Sequence, residues 1–473
     1  MPKPEPQLPL GTSSTIRGLS ETFSFHSSPE SFITSRIISF QQENPGVVEN
    51  RDIVRAKVLN RNVAVVSSYT QVQQVLTDGD GFEASAAYDE LMKPFFPSPN
   101  LLLMDGSHHK DLRKTWEERG ASFDEKLLAS VHRQAENHFS EPSNSEIDLY
   151  ESMKTLSWKI LLGAFLRLGP EERLFETIEG LQEDLLRGQF SLFPVTLNTG
   201  FWHSPRKKGK MAKEKLQSLM LERFSENPGS CPFLAADDGA TRDIANHAVL
   251  MTSSLAVKAL ASLLTAFILN LYLLADRNGD TLAGSLASEG DPEKRSRRLK
   301  SALKETERLS PPIVGVMRRS VKDNIILSLG EQPDTKIPKG WDCWLYFVGA
   351  NRDPAVFGNT WDTFDRDRYI EDGTLQGMAF GAGSKTCLGR EWVSGIALGV
   401  AETCARLGIS IKGQISARGV RGWLGWEPND AVAPEDWARD MKQLPTQRPA
   451  EPIMVSLQNV DAKEEPPDTV QAN

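Results

Sequence analysis

Cysteine is scarce in this chain, which has four cysteines, at positions 231, 343, 387 and 404, among 473 residues. They form no CxxC pair and no cysteine–histidine cluster at the spacing of a zinc site, so the sequence suggests neither a disulfide framework nor structural zinc. Cysteines used in this way are typical of proteins in a reducing compartment. The sequence therefore predicts a cytoplasmic protein.

A long apolar segment is missing from the first thirty residues, which are polar and carry several prolines. This stretch has no apolar core of the length that a signal peptide or a membrane anchor requires. We expect a soluble protein without an integral membrane segment.

Basic residues are not in excess either, because the formal net charge is −9. The one dense basic run, SPRKKGKMAKEK at 204–215, is typical of a solvated helix face, with docking of an acidic protein as the alternative. A mildly acidic chain with one such run lacks the charge pattern of a nucleic-acid-binding protein. We therefore expect no nucleic-acid partner.

The chain shows no internal repeat, and no linker rich in serine, glycine or proline divides its middle. The length would allow two or three domains, but one large domain fits these observations better. The polar start and the acidic, polar end are typical of disordered segments. The sequence predicts a flexible segment over 1–29, a single domain over 30–457 and a disordered tail over 458–473.

Helical periodicity dominates the pattern of apolar residues, and strand-like patterns are found at 60–68 and 323–329. The predicted fold class is therefore mainly α with a small β-sheet part. The predicted helices cover 147–168, 172–186, 208–224, 243–275, 294–309 and 390–407.

One of these helices is apolar on nearly every side over residues 245–275. A helix with this pattern lies either in a large core or in a membrane. Lys258 and Asn270 interrupt it, and no flanking topology supports insertion. We therefore interpret it as a long central helix of a core.

A single cysteine stands in the most glycine-rich turn of the chain, AFGAGSKTCLGRE at 379–391. The turn precedes a helix predicted to begin at Arg390, so the Cys387 sulphur would lie near a helix N-terminus, whose dipole and free N–H groups stabilise a thiolate. The glycines of the turn allow the backbone to wrap closely around a bulky partner. A thiolate held against a large flat partner is how an axial haem ligand is built.

The turn resembles the haem-binding loop FxxGxRxCxG of the cytochrome P450 family, with lysine in place of the usual arginine. The resemblance implies the cytochrome P450 fold and a bound haem b whose iron is ligated by Cys387. The loop residues implied in cofactor binding are Phe380, Gly383, Lys385, Cys387 and Gly389.

Two further elements follow the same family in chain order. Glu305 and Arg308 in KETERLSPP are similar to the ExxR helix and its proline pair, and Arg368 in FDRDR is similar to the arginine of FxPxR, with Arg366 in place of the proline. The resemblance implies that Glu305, Arg308 and Arg368 form a buried structural network behind the cysteine turn. The likeness extends over about 30–457.

The resemblance also implies partners for the two haem propionates, because buried carboxylates need cations or hydrogen-bond donors. Arg318 is preferred to Arg319 because it precedes Asp323 by five residues, as in the family. Lys385 offers a point charge where arginine would bind in two places, and a surface histidine is the alternative for His109. The implied partners are His109, Arg113, Arg318 and Lys385.

The central helix departs from the family, whose members usually carry an acid and an alcohol over the haem. No aspartate or glutamate occurs between Asp243 and Asp276. Aligning 272–275 with the usual end of that helix places 258–262 over the haem, with Lys258 either beside another element at the surface or reaching the active site. The catalytic candidates in this register are Ala261, Ser262 and Thr265.

The resemblance implies a monooxygenase that acts on a lipophilic small molecule, in a tailoring step of secondary-metabolite biosynthesis. Electrons would come from NADPH through a separate reductase, since no flavin domain is fused. The missing acid keeps a second interpretation open, namely redox-neutral or peroxide-dependent chemistry (isomerase, dehydratase, cyclase or hydroperoxide rearrangement). A non-catalytic haem-binding protein is the third. The expected pocket walls are 82–103, 188–201, the central helix and 311–317.

Overall fold

The structure is a computed structural model of the chain. It describes residues 21–22, 24, 29–35, 53–58, 61–121, 123–140, 146–191, 203–234, 240–275, 279–323, 325–329, 334–371, 373, 375–413, 441–442, 446–449 and 452–459. Most of the predicted N-terminal segment 1–29 and all of the predicted tail from 460 onwards therefore lie outside the described residues. The predicted pocket wall 188–201 is described only up to residue 191.

Helices form most of the described chain, which confirms the predicted fold class. Several begin at side-chain caps: Asp148, Ser204 and Asp291 each accept hydrogen bonds from backbone N–H groups of the first turn. The helices are α1 (Tyr69–Thr77), α2 (Ala84–Ala87), α3 (Gly106–Gly120), α4 (Asp124–Ser140), α5 (Leu149–Leu166), α6 (Arg173–Gln189), α7 (Pro205–Glu226), α8 (Thr241–Met251), α9 (Ser254–Tyr272), α10 (Leu282–Ala287), α11 (Pro292–Leu309), α12 (Phe347–Asn351), α13 (Pro354–Phe357) and α14 (Arg390–Arg406).

The strands form small sheets beside the helices. The largest has five strands in the order β1-β2-β8-β5-β3, and its β2 and β8 pair in parallel. The others are β4-β12-β9, β6-β7 and β10-β11. The strands are β1 (Val54–Val58), β2 (Arg61–Val66), β3 (Phe82–Glu83), β4 (Ile147–Asp148), β5 (Gly315–Ser320), β6 (Ile325–Leu327), β7 (Thr335–Ile337), β8 (Asp342–Tyr346), β9 (Ile409–Gly413), β10 (Met441–Lys442), β11 (Arg448–Pro449) and β12 (Met454–Asn459).

The apolar helix α9 lies in the largest hydrophobic core, where it packs against α5 and α11. Within the described residues it is the one helix long and apolar enough to cross a membrane, and 78% of its most apolar window is buried inside the protein. The interpretation of this segment as a core helix is therefore confirmed.

The predicted continuous helix 243–275 is, however, two helices. The Thr252 hydroxyl donates to the Ala248 carbonyl oxygen at 2.7 Å, and the Ser253 hydroxyl oxygen accepts from the Ala256 N–H at 3.2 Å. Hydroxyl side chains that bond to nearby backbone in this way compete with helix propagation. The hydrogen-bond ladder of α8 thus ends at Thr252, and that of α9 begins at Ser253.

Candidate functional site

Cys387 lies on the wall of an interior cavity of about 350 Å³. Its side chain is exposed, and this exposure is towards the cavity. The cavity wall also includes the turn Leu101–Leu103, β5, and parts of α8, α9 and α14. The other described cysteines, at 231, 343 and 404, are free and buried. Cys387 is thus the cysteine that presents its sulphur to an internal space large enough for a ligand.

The glycines of the cysteine turn are required by its backbone. Gly381 and Gly383 have φ of +70° and +69°, where a residue with a Cβ is strained. A Cβ at Gly383 would also lie 2.5 Å from the Leu76 carbonyl oxygen, so the turn packs directly on α1. The Cys387 N–H donates to the Phe380 carbonyl oxygen at 2.9 Å, which closes the turn just before α14.

The Cys387 sulphur has opposing influences on its protonation. Burial raises the pKa of the thiol above its ordinary value, whereas the Gly389 N–H and the Arg113 and Arg390 guanidinium groups lower it. Burial thus opposes the stabilisation of a thiolate that the helix N-terminus predicts. Metal coordination deprotonates a thiol, so a bound metal would supply what the protein environment lacks.

Glu305, Arg308 and Arg368 form a closed network of buried charges. Arg308 donates to both Glu305 carboxylate oxygens, at 2.7 and 2.8 Å, and the Arg368 Nε lies 3.0 Å from Glu305 Oε1. The side chains of Glu305 and Arg308 are fully buried. Removing one member of such a pair leaves an uncompensated buried charge, which costs about 3–5 kcal/mol.

This network is connected to the cysteine turn through one asparagine. Arg308 Nη1 donates to the Asn351 carbonyl oxygen at 2.7 Å, and the Asn351 side-chain oxygen accepts from the Met378 N–H at 2.6 Å. The Met378 carbonyl oxygen then accepts from the Gly381 N–H at 2.8 Å. The buried arginine therefore positions the start of the turn that carries Cys387.

Four nitrogen-bearing side chains meet at one side of the cavity: His109, Arg113, Arg318 and Lys385. His109 is only 3% exposed, and burial together with the Lys385 and Arg113 charges lowers its pKa to about 4. Arg318 Nη1 donates to the Met317 carbonyl oxygen at 2.8 Å, and Arg113 Nη1 donates to the Thr386 carbonyl oxygen. The structure thus brings the four sequence-predicted propionate partners together around an interior site of positive charge.

Lys385 differs from the other three because its ammonium group is directed at the protein. Its Nζ donates to the Leu101 carbonyl oxygen at 3.1 Å and to the Met104 carbonyl oxygen, and lies 3.3 Å from Asp105 Oδ1. Burial lowers its pKa to about 8. Its observed partners are therefore protein carbonyls and a carboxylate.

The predicted catalytic residues Ala261, Ser262 and Thr265 do not line the cavity. Ser262 donates to the Lys258 carbonyl oxygen at 2.8 Å and Thr265 to that of Ala261 at 2.7 Å, and all three side chains are buried in the core. The residues that do face the cavity from these helices are His247, Leu250, Met251, Ala256 and Leu260.

Of the stretch 258–262 that the sequence places over the haem, Leu260 faces the cavity, whereas the other wall residues of these two helices lie at 247–256, on both sides of the break at residues 252–253. The signal for this was the run Thr252-Ser253-Ser254, the point where three consecutive hydroxyl residues interrupt an apolar pattern. Lys258 lies 2.9 Å from Glu183 of α6, which places it beside another element at the surface.

Sequence reasoning missed His247, a fully buried histidine on the cavity wall. Its Nε2 accepts from the Leu101 N–H at 3.2 Å, and its Nδ1 lies 2.8 Å from the Asp243 carbonyl oxygen. Of the described residues that line the cavity, none is an aspartate or a glutamate. The absence of an acid over this part of the chain thus extends to the described cavity wall.

Comparison with known proteins gives a family match over the network and the cysteine turn. Residues 297–392 match the family model described as Cytochrome P450. Cytochrome P450 714C2 of Oryza sativa subsp. japonica is 36% identical over 100 residues, which cover 20% of this chain and 18% of that protein. Cytochrome P450 85A1 of Brachypodium distachyon is 22% identical over 394 residues, which cover 74% of this chain and 80% of that protein.

Solved structures extend the similarity to the whole fold. The retinoic acid-bound cyanobacterial CYP120A1 has a TM-score of 0.71 at 18% identity, and the superposition covers 97% of this chain and 100% of that one. The matched helices and sheets therefore share one architecture, and the matched motif region carries the network and the cysteine turn. Residues 297–392 therefore match the cytochrome P450 family, and the chain has the fold of solved cytochrome P450 structures.

Proposed function

We propose that the protein is a haem-thiolate monooxygenase that oxidises a lipophilic small molecule, with electrons from NADPH delivered by a separate reductase. The observation that carries the proposal is the position of Cys387, whose sulphur opens into an interior cavity bordered by cationic side chains. A single domain over 30–457 would carry the activity in the cytoplasm, as the unpaired cysteines suggest.

The donor set at the cavity fits haem b. Within the described residues no cluster of three or more histidine, cysteine, aspartate or glutamate side chains could hold a metal ion. An iron at this site would therefore be bound within a porphyrin, with Cys387 as its ligand from the protein. Arg113, Arg318 and His109 would hold the two propionate carboxylates. His109, with a pKa of about 4, would do so as a neutral hydrogen-bond donor near pH 7.

Bound at Cys387, haem would supply the capacity to activate dioxygen, for which thiolate ligation favours O–O cleavage. The protein supplies the surroundings. Leu101, Leu250, Met251 and Leu260 present apolar groups to the cavity, so they would bind a lipophilic substrate and exclude bulk water. The retinoic acid bound by the cyanobacterial structure is a ligand of this class. A tailoring step on a secondary metabolite is the biosynthetic role that we propose for such a pocket.

Proton delivery is the part of the mechanism in which this chain is unusual. The described cavity wall holds no carboxylate, and the nearby Thr252 hydroxyl donates its hydrogen to the Ala248 carbonyl oxygen. A positioned acid or base contributes about 10²–10⁴-fold to a reaction that needs proton transfer. The proton would therefore come from water or from a hydroxyl of the substrate.

The same observation favours a second candidate function, which is redox-neutral or peroxide-dependent chemistry. Isomerisation, dehydration, cyclisation and hydroperoxide rearrangement do not need a protein acid for dioxygen activation, because the substrate brings its own leaving group or O–O bond. The third interpretation, a non-catalytic haem protein, has no observation in its favour.

The first experiment is the spectrum of the purified protein after reduction and addition of carbon monoxide. We expect the red-shifted Soret band of a thiolate-ligated carbonyl complex. A band at the position typical of histidine-ligated haem, in protein with full haem content, would contradict ligation by Cys387.

The second experiment identifies the substrate by comparing metabolites of a host with and without the gene, and then assays turnover under three conditions. These are NADPH with a reductase, added peroxide, and no oxidant. Strict dependence on NADPH and dioxygen is the result expected of the monooxygenase. Product formed without any oxidant would establish the redox-neutral alternative.

A further inference from the structure

A nine-residue segment, 97–105, forms one wall of the cavity, and we call it the wall segment. Leu101 and Leu102 of this segment line the cavity. Its internal fold depends on the buried Asn100, whose side-chain oxygen accepts from the Leu102 and Leu103 N–H groups at 3.0 and 3.1 Å. The segment has little regular structure apart from the turn Leu101–Leu103, so side chains from elsewhere must fix its position.

One set of these side chains comes from α8. The Asn246 amide nitrogen donates to the Pro99 carbonyl oxygen at 3.2 Å, and His247 Nε2 accepts from the Leu101 N–H at 3.2 Å. Both side chains are fully buried. The wall segment is therefore attached to the helix that ends at the break beside the cavity.

The other attachment is Lys385 of the cysteine turn. An ammonium group has three N–H donors, and Lys385 has three acceptors: the Leu101 and Met104 carbonyl oxygens and the Asp105 carboxylate. All of them belong to the wall segment. With these contacts made, Lys385 has no donor left for a carboxylate in the cavity.

Asp105 carries the connection further, to α2. Its two carboxylate oxygens accept from the Ala84 N–H at 3.3 Å and from the Ser85 N–H at 2.8 Å, at the start of α2. Ala84 and Tyr88 line the same cavity. The Lys385–Asp105 pair thus joins the cysteine turn, the wall segment and α2 at one point.

Arg318 provides the contrast. It lines the same cavity, and its one hydrogen bond within the described residues runs from Nη1 to the Met317 carbonyl oxygen. A guanidinium group has five N–H donors in a planar fork that suits a carboxylate. Arg318 therefore keeps donors for a propionate, whereas Lys385 does not.

We propose that Lys385 is a positioning residue that fixes the wall segment to the cysteine turn, and so sets the size of ligand that the cavity admits. It does not hold a haem carboxylate. The inference rests on the proposed haem site, but the contacts that carry it are all within the protein. Lysine in place of the family's usual arginine is what allows this role, because a compact ammonium can reach three diverging acceptors that a planar guanidinium cannot.

The test compares Lys385→Met with Arg318→Met, and with Lys110→Met as the matched control at an exposed lysine of α3. Two quantities are measured on the haem-loaded proteins: the rate of haem transfer to excess apomyoglobin, and the ratio of the dissociation constants for clotrimazole and imidazole from spectral titrations. Imidazole is too small to contact the wall segment, so its dissociation constant should not depend on where the segment lies, whereas that of the larger clotrimazole should.

We expect Lys385→Met to transfer haem at the wild-type rate and to change the clotrimazole-to-imidazole ratio by about tenfold or more, as loss of charge-assisted hydrogen bonds to the wall implies. Arg318→Met should transfer haem about tenfold faster or more. Lys110→Met should change neither quantity. Fast haem transfer from Lys385→Met with an unchanged ratio would overturn the proposal.

Lys385→Arg keeps the test decisive if the methionine variant does not fold. The guanidinium of Lys385→Arg cannot make all three contacts to the wall segment, so a changed azole ratio supports the proposal, whatever the rate of haem transfer, and an unchanged azole ratio contradicts it. If the wild-type protein gives no thiolate spectrum, the proposed function fails separately. Amide hydrogen exchange of peptide 97–105 then tests, without haem, whether Lys385 holds the wall segment. Faster exchange in Lys385→Met than in Lys110→Met supports this role, and equal exchange refutes it.

Discussion

The two sides of the cavity are held by different kinds of interaction. Behind Cys387, the fully buried ion pair of Glu305 and Arg308 is extended by Arg368 and Asn351 into a network that reaches the cysteine turn. On the other side, α8, the helix break and the wall segment are held by hydroxyl, amide and imidazole groups. The first side rests on buried charges paired within the protein, whereas the second rests mainly on neutral groups, with the Lys385–Asp105 pair as the charged contact of the wall segment.

This difference indicates which side of the cavity tolerates amino-acid substitution. Replacing a member of a buried charge pair leaves its partner uncompensated, so the side behind Cys387 resists substitution. Neutral groups that bond to nearby backbone impose a smaller cost when one is lost. The second side can therefore vary among proteins of the same fold.

The largest effect is expected at the residue that both sides surround. Cys387→Ser should abolish the thiolate signature of the reduced carbonyl complex, because the sulphur that opens into the cavity is replaced by a weakly donating hydroxyl. Absorption spectroscopy of the purified variant measures this. Cys404→Ser is the control, since Cys404 is buried in the core and outside the cavity wall. An unchanged spectrum in Cys387→Ser would show that Cys387 is not the thiolate ligand.

Next in size is the stability lost when the network is opened. Arg308→Ala should lower the free energy of unfolding by about 3–5 kcal/mol and reduce haem incorporation, because the buried Glu305 loses its fully buried partner and keeps only Arg368. The control is Arg406→Ala, whose ion pair with Glu136 at 3.1 Å has both side chains about half exposed, so that its loss should leave the free energy of unfolding almost unchanged. Urea titration measures both. Equal losses in the two variants would show that the network is not the stabilising element.

A carboxylate introduced next to the helix break tests whether the side of the cavity formed by α8 lacks a proton donor. Met251→Glu should raise NADPH-supported product formation relative to peroxide release, by up to about 10²-fold, because Met251 faces the cavity where a proton donor is missing. Ala261→Asp should give no such gain, since Ala261 is fully buried away from the cavity and a carboxylate there would destabilise the core. Coupling efficiency with the native substrate is the measurement. A gain in Ala261→Asp alone would restore the register predicted from the sequence.

The smallest effect concerns a buried acid beside the network. Burial raises the pKa of Glu307 to about 7, with the Ser394 hydroxyl 3.3 Å from one of its oxygens. The folded protein therefore holds a proton that the unfolded chain has lost between about pH 4.5 and 7, so its free energy of unfolding falls as pH rises through that range. Glu307→Gln should remove this dependence and stabilise the protein at pH 8 by about 1–3 kcal/mol. Thermal unfolding at pH 6 and pH 8 tests it, and identical pH slopes in both proteins would contradict the assignment.

The residues behind Cys387 could be singled out from the sequence because their chemistry depends on polar residue types at fixed spacing. Glu305 and Arg308 stand three residues apart on α11, and a glycine-rich turn with one cysteine precedes α14. Such patterns can be recognised in the sequence without knowledge of the packing around these residues. The structure brings these residues together in the order in which the chain presents them.

The other side could not be placed from the sequence for the same physical reason. An apolar helix gives no marker of which residue lies over a cavity, and counting back from residues 272–275 selected 261–262, whereas the residues that face the cavity include Met251, Ala256 and Leu260. The partners of Lys385 were equally hidden, because two of them are backbone carbonyls, and a backbone acceptor leaves no mark in the sequence. His247 was passed over since one histidine on an apolar helix is ordinarily a core residue.

The break at Thr252–Ser253 also has a consequence for motion. The ladder of α9 starts from the Ser253 carbonyl oxygen, which accepts from the Val257 N–H at 3.0 Å, and the Ser253 N–H donates back to the Leu250 carbonyl oxygen of α8 at 3.2 Å, so a short i→i−3 bond joins the two helices at the break. The wall segment is attached to α8 through Asn246 and His247. These two pieces can therefore open together as one cooperative unit of local unfolding while the buried α9 stays folded. The side of the cavity formed by α8 and the wall segment can then open, whereas the side formed by α9 stays fixed, and the Thr252–Ser253 peptide separates the two.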